Sequence, residues 1–349
     1  MAGQVWQGGN GIGRYSRQEL FVGIGPEGQR KLSGKHVLLV GAGALGTGNA
    51  EILVRAGVGK VTIVDRDYVE WSNLQRQQLY DEVAARARIP KAIAARQRLQ
   101  QINSEVQIEG LVLDLTLEEL DTVVTDVDLI IDATDNFDTR LLINDYALSQ
   151  RIPWIYGACV GSYGTTMTIV PGRTPCLHCL LETIPLAGAT CDTVGVISSA
   201  VQMVVAYQTA EAFKLLVGDM AALHGKLISF DLWSNQHTSI SIDNMKRENC
   251  LSCGSQPVYP YLLSERQSKT AVLCGRDTVQ IRPSKAGQRD LAEVARAWSR
   301  LDGRVESNPY LVSLTLSSHR LVLFQNGRVL VHGTKDIAEA RSLYYKYLG

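Results

Sequence analysis

Apolar positions along the chain follow two rhythms. From His36 to Asp65 the sequence reads HVLLVGAGALGTGNAEILVRAGVGKVTIVD. That is an apolar run, a glycine turn, a stretch with helical spacing and a second apolar run. Short apolar runs bounded by glycine predict strands covered on both faces, with a helix between them. The alternation continues. Residues 90–102 predict a helix with Pro90 in its first turn. Residues 106–115 (VQIEGLVLDL), 127–134 (VDLIIDAT) and 153–159 (PWIYGAC) predict strands, and 137–150 a helix. Strands alternating with helices predict an α/β fold with a Rossmann-like, doubly wound parallel sheet. Ahead of it, Leu20, Ile24 and Leu32 are spaced like the packing face of a helical region over 16–32. The glycine-rich residues 1–13 predict a flexible N-terminus.

After Cys159 the rhythm changes. Residues 165–170, 225–233 and 237–243 predict antiparallel strands that continue the sheet. A loop (171–193) and a long apolar core helix (194–217) lie between them. Beyond Pro257 the pattern predicts an amphipathic helix (289–301), two strands around the hairpin signal Asn326-Gly327, and a final helix capped near Thr334. The expected organisation is a main domain over 14–256, a linker over 257–285 and a small C-terminal α+β appendage over 286–349.

Composition narrows the partners. The 349 residues carry 35 basic and 35 acidic side chains. That balance predicts no nucleic-acid or membrane-surface partner. The first residues lack a charged stretch followed by an apolar run, and helix 194–217 contains Gln202, Gln208, Glu211 and Lys214. No secretory signal and no membrane span are expected, and the expected location is cytoplasmic. Seven cysteines in such a chain point to metal or thiol chemistry rather than a disulfide framework.

Gly41, Gly43 and Gly46 have the spacing G-x-G-x-x-G between a strand and a helix, where backbone N–H groups and the helix N-terminus hold phosphates. Asp65 ends the next strand, where a carboxylate accepts from a ribose. A P-loop is absent, since GVGKVT (57–62) has no Ser or Thr beside its lysine. The stretch beyond Asp65 suits a triphosphate better than a dinucleotide. Arg76 offers a forked donor and Lys91 a point charge. Asn73 lies nearby, and Asp67 and Asp135 are carboxylates suited to Mg²⁺. Taken singly, each of these charges also fits a solvated surface.

Cys176-x-x-Cys179 and Cys250-x-x-Cys253 form a Cys₄ zinc signal. Four thiolates leave no open position, so the zinc is expected to be structural, with His178 pointing away. Cys191 precedes the long helix. There it is either a thiol of lowered pKa or an inert loop residue. Cys159 and Cys274 read as packing.

The ordered set RYSRQ (14–18), GAGALG (41–46), SNLQRQ (72–77), PK (90–91), ATDN (133–136), the two C-x-x-C pairs and TCDTVGV (190–196) resembles the ThiF/MoeB/HesA group, prokaryotic relatives of ubiquitin-activating enzymes. The resemblance covers about 14–256, and CGRDTVQIRP (274–283) is similar to ThiF-type proteins of some bacilli. It implies an enzyme that uses ATP to adenylate the C-terminal glycine of a ubiquitin-like sulfur-carrier protein ending in Gly-Gly, of ThiS or MoaD type. Pyrophosphate is released, and the product serves thiamine thiazole or molybdopterin sulfur transfer, with a persulfide as sulfur donor.

By position, the resemblance gives Gly43 and Asp65 to the nucleotide, and Asn73, Arg76 and Lys91 to the phosphates. Asp135, with Asn136 beside it, goes to Mg²⁺, and the four paired cysteines to Zn²⁺. Arg17 reaches the neighbouring subunit's phosphates in a homodimer. Cys191 aligns with the cysteine that bonds to the activated carrier. Two departures stand out: GVISSAVQ replaces a frequent Gly-Pro pair, and the C-terminal appendage is not a rhodanese domain. An NAD-dependent oxidoreductase would leave Arg17, Arg76, Lys91 and the Cys₄ set without purpose. A non-catalytic adaptor of the same fold typically lacks phosphate-binding arginines or the magnesium aspartate, which this chain keeps. The carrier and its pathway stay open at this level.

Overall fold

The computed structural model describes residues 13–183, 194–263, 270–272, 277–282 and 288–348. Two short helices, α1 (Ser16–Glu19) and α2 (Gly25–Leu32), precede the first unit. It runs β1 (His36–Val40), α3 (Ala44–Arg55), β2 (Lys60–Asp65), α4 (Glu82–Arg86), α5 (Lys91–Ile102), β3 (Gln107–Val112), α6 (Leu117–Val123), β4 (Leu129–Asp132), α7 (Phe137–Gln150) and β5 (Trp154–Val160). Then come β6 (Tyr163–Ile169), α8 (Leu177–Thr183), α9 (Ser198–Val217), β7 (Lys226–Asp231) and β8 (Gln236–Ser241). The eight strands form one sheet in the order β3-β2-β1-β4-β5-β6-β7-β8. It is parallel through β5 and antiparallel from β5 to β8.

The order reverses between β1 and β4, so the turns after these two strands open into the crevice where such sheets bind ligands. All five residues of β1 are buried. Val37 and Leu39 pack with α3, α5 and the end of α9, whereas Leu38 and Val40 pack with α6 and α7. Burying each such side chain stabilises the fold by about 1.5–3 kcal/mol. Among the described residues no helix is long and apolar enough to cross a membrane.

The helical region expected over 16–32 is two helices. Gly23 falls between them, and Gly25, the first residue of α2, has φ +60°, a conformation costly for most other residues. As a result Leu20 is 74% exposed, while Leu32 is buried.

A second sheet, β11-β12-β13-β14-β10-β9, is wholly antiparallel. It comprises β9 (Thr270–Val272), β10 (Thr278–Ile281), β11 (Arg304–Ser307), β12 (Leu311–Thr315), β13 (Arg320–Phe324) and β14 (Val329–His332). Helices α10 (Leu291–Trp298) and α11 (Ile337–Leu348) cover one face. The hairpin at Asn326-Gly327 forms as expected, with Gly327 at φ +84°. The linker expected over 257–285 does not hold as drawn. Tyr259, Tyr261 and Leu262 pack on the first unit, and β9 and β10 belong to the second sheet. In β10 only Val279 and Ile281 alternate inward, a pattern too short to stand out between charged residues. The final helix is capped by Asp336, which accepts from Ala338 and Glu339 N–H at 2.7 and 3.3 Å. Thr334 instead accepts from the Asp336 N–H.

Candidate active site and metal centre

The glycine turn divides its labour. Gly41 adopts φ +100°, and a Cβ there would lie 2.5 Å from the Ala133 carbonyl oxygen. A Cβ on Gly46 would lie 2.0 Å from the Gly41 oxygen. These two glycines therefore let β1, β4 and α3 approach. Gly43 is different. A Cβ there meets nothing within 4 Å, and Gly43 caps α3 with no side-chain hydrogen bond. The first-turn N–H groups of α3 are left for a ligand, on the side that the helix dipole makes attractive to anions.

Asp65 ends β2 and closes on this turn. Its Oδ2 accepts from Ala42 N–H and its Oδ1 from Asp67 N–H, both at 2.6 Å. Burial pushes the Asp65 carboxyl above its usual range; Lys91 opposes the shift and Asp67 adds to it. Lys91 is itself buried, with Nζ 3.4 Å from Asp67 Oδ2. The Tyr80 hydroxyl donates to the Ala42 carbonyl at 2.7 Å and lies 3.1 Å from that of Lys91. One phenol thus ties the glycine turn to the start of α5. Asn73 is 1% exposed; its Oδ1 accepts from Glu70 N–H, while its buried Nδ2 has no hydrogen-bond partner. A buried unsatisfied donor is costly and marks where a ligand acceptor belongs. Arg76 is half-buried and donates to the Ser72 carbonyl at 2.7 Å.

Asp135 is exposed in the turn after β4. Asn136, expected at the cofactor, caps α7 by accepting from Asp138 and Thr139 N–H. Two residues that sequence reasoning missed shape this turn. Asp132 is fully buried and pairs with Arg140 Nε at 3.0 Å. It also accepts from Thr134 N–H and Oγ1–H at 2.9 and 2.7 Å. Arg140 Nη2 donates to the carbonyls of Thr134 and Gly157, and its guanidinium lies over the Tyr156 ring. Burial raises the Asp132 pKa against the pull of Arg140. The signal was a carboxylate inside the apolar run LIIDAT, which a buried strand tolerates only with a partner.

Arg17 lies away from its own chain's glycine turn. Gln18 Nε2 donates to the Ala56 carbonyl, and the Tyr15 ring packs on Gly57. Both anchors are at the C-terminal end of the 12-residue α3, about 18 Å of helix from the turn.

The four paired cysteines come together. Their Sγ atoms all lie within 4.8 Å of one another, with Cys176–Cys250 at 3.6 Å and Cys179–Cys253 at 3.5 Å. A tetrahedral zinc with Zn–S near 2.3 Å needs sulfurs about 3.8 Å apart, so donor type and spacing fit that ion. His178 is outside the set, with Nδ1 3.0 Å from Ser252 Oγ. Helix α7 supports the cluster: Asn144 Oδ1 accepts from Leu177 N–H and Asp145 Oδ2 from Tyr261 N–H, both at 2.9 Å. Cys191 lies outside the described residues.

A glycine-turn crevice and a four-thiol cluster on a mixed sheet define a class, and residues 15–252 match the ThiF family. The chain belongs to that family. It is 53% identical over 337 residues to the sulfur carrier protein ThiS adenylyltransferase of Bacillus subtilis, covering 97% of this chain and 99% of that relative. It is 36% identical to the sulfur carrier protein adenylyltransferase of Thermus thermophilus, covering 70% and 92%. Among solved structures, E. coli MccB with ATP superposes with TM-score 0.61 at 21% identity, over 71% of this chain and 75% of that one. That last likeness speaks for the fold alone.

Proposed function

We propose that the chain is an ATP-dependent adenylyltransferase acting on the C-terminal glycine of a ubiquitin-like sulfur-carrier protein of ThiS type. The observation that carries this reading is the open Gly43 turn with Asp65, Lys91 and the orphaned Asn73 amide beside it. Full-length similarity to a ThiS adenylyltransferase supports the carrier class.

The carrier's carboxylate oxygen attacks the α-phosphorus of ATP. The bond from that phosphorus to the bridging oxygen breaks, pyrophosphate leaves, and a mixed anhydride remains. The nucleophile is already ionised, so no general base is required. The barrier is the meeting of two anions, which Arg76 and Lys91 offset. Asp135 and Asp67 are the carboxylates that would hold Mg²⁺, whose charge would add to that of Arg76 and Lys91. Cys176, Cys179, Cys250 and Cys253 would hold a structural Zn²⁺.

Arg17 serves the partner's phosphates in a homodimer. Its distance from its own turn supports this, as does the run of exposed Leu20, Phe21 and Val22 beside it. The Cys191 thiolate would then attack the adenylate carbonyl and expel AMP, leaving a thioester to the carrier, and a persulfide attacking that carbonyl would free the thiolate and deliver the sulfur. The chain works as a cytoplasmic enzyme of thiamine or molybdopterin sulfur transfer.

The test is ATP–pyrophosphate exchange with purified carriers. Exchange is expected only with a carrier ending in Gly-Gly, and exchange without one, or NAD binding in place of ATP, overturns the reading. Mixing inactive Arg17→Ala and Asp135→Ala subunits should restore part of the activity. No recovery after verified subunit exchange would remove Arg17 from the partner's site. Elemental analysis should find one zinc per chain.

A further inference from the structure

Residues 66–91 carry Asp67, Asn73, Arg76 and Lys91, and the C-terminal unit grips this span near both ends. The two ends pair with each other: Val69 N–H donates to the Ile89 carbonyl and Lys91 N–H to that of Asp67, both at 2.9 Å. The face of the second sheet away from α10 and α11 packs on them, with Leu311, Val322, Phe324 and Leu330 around Tyr68.

Polar contacts then fix the backbone. Arg328, 2% exposed on the β13–β14 hairpin, donates Nη2 to the Arg66 carbonyl, and its guanidinium lies 3.8 Å from the Phe324 ring centroid. Burial pulls its pKa down to about 10 while Asp114 opposes this, so it stays charged at neutral pH. Arg320 Nη2 donates to the Tyr68 hydroxyl at 2.6 Å and lies 3.3 Å from Glu70 Oε1. At the other end Arg88 is left-handed, with φ +48°. Its guanidinium meets Glu306 at 2.6 Å and Ser313 at 3.0 Å, and Asn308 donates to the Ala87 and Arg88 carbonyls. Beside these contacts a cavity of about 370 Å³ borders Val69–Ser72 and Arg86.

A domain docked only for stability needs the apolar face. It does not need a buried guanidinium committed to the carbonyl between Asp65 and Asp67. We propose that the C-terminal unit is a brace built into the chain: Arg328 and Arg320 act as positioning residues that hold Arg66–Glu70, and with it the Asp67–Lys91 pair, in the geometry that receives the triphosphate. This rests on the ATP-dependent reading above for its functional half only.

The test uses the full chain with Arg320→Ala, Arg328→Met and, as a control, Leu343→Ala, which loosens α11 on the opposite face of the sheet. Losing a hydrogen bond to a charged group speeds opening about tenfold. Amide hydrogen exchange at Val69 and Lys91 is therefore expected to quicken by that factor in both arginine variants, and to keep its wild-type rate in the control. The KM for ATP should rise about tenfold with the carrier KM within about twofold, a split that general destabilisation does not produce. Wild-type amide exchange in the arginine variants, or the same quickening in Leu343→Ala, overturns the brace. If Arg328→Met does not fold, Arg320→Ala alone decides. If the wild-type chain shows no pyrophosphate exchange with any carrier, the enzymatic reading fails, while amide exchange still decides the brace.

Discussion

Two buried carboxylates sit at or just past the C-terminal ends of strands in the first sheet, and they are held in opposite ways. Asp132, at the end of β4, has a single ionic partner among the described residues, Arg140, and accepts further bonds from the Thr134 turn. Asp114, just past β3, meets Arg66 at 3.2 Å, Arg282 Nε at 2.7 Å and the Gln280 amide. Burial wins at Asp132, whose pKa is raised. At Asp114 burial also raises the pKa, but Arg66, Arg282 and Arg328 together outweigh it, and the net shift is downward. The difference is one of charge balance. Asp132 is a burden that Arg140 makes tolerable, so the pair fixes a turn without adding much stability. Asp114 is the anion that makes a cluster of arginines tolerable, so it stabilises the seam it sits in.

Removing the partner at Asp132 should have the largest effect. Arg140→Met strands a buried charge and is expected to cost about 3–5 kcal/mol in urea unfolding, with pyrophosphate exchange lost. A cost below about 1 kcal/mol would erase the contrast, since that is the range of exposed pairs. Adding Asp132→Asn should return much of the loss. The deficit should also depend on pH. A raised folded pKa means the ionised form is the costly one, so the deficit shrinks as the pH falls toward the unfolded value of about 3.9. Unfolding measured at pH 5 and pH 8 checks the sign.

Asp114→Asn is the intermediate case, at about 1–3 kcal/mol, because Arg66 and Arg282 are partly open to solvent. A depressed folded pKa contributes stability that is present above the unfolded pKa and lost as pH falls through the folded one. The acid limb of the wild-type curve should therefore flatten in this variant, and an unchanged limb would place the acid sensitivity elsewhere. Asp135→Ala comes last. Asp135 is exposed, so stability should move by no more than about 0.5 kcal/mol while pyrophosphate exchange disappears. Retained exchange would remove Asp135 from magnesium binding.

The sequence made legible whatever is coded by short spacing. The glycine turn, Asp65, Lys91 and both cysteine pairs could be read because the chemistry fixes their separations in the chain or because a strand end places them. Asp132 and Arg140 were missed because a carboxylate in an apolar run looks like strand, and its partner is on the next helix. The Asp114 cluster was harder still. Arg282 is 168 positions away, and nothing local distinguishes it from a surface arginine. The strands β9 and β10 were hidden for a related reason, since a four-residue strand needs its neighbours to declare it. Legibility fell where an element's meaning depends on a contact from far along the chain.

The bond from Arg328 to the Arg66 carbonyl spans 262 positions. At ribosomal speeds of about 5–20 residues per second, those 262 positions separate the emergence of its two ends by about 13–52 s. Once Asn136 has been added, every residue assigned to the nucleotide is made, and the hairpin that carries Arg328 is not. A chain cut short just after Cys253 would therefore carry the whole motif set and none of this support. With the proposed brace, completing synthesis is itself a step in assembling the crevice.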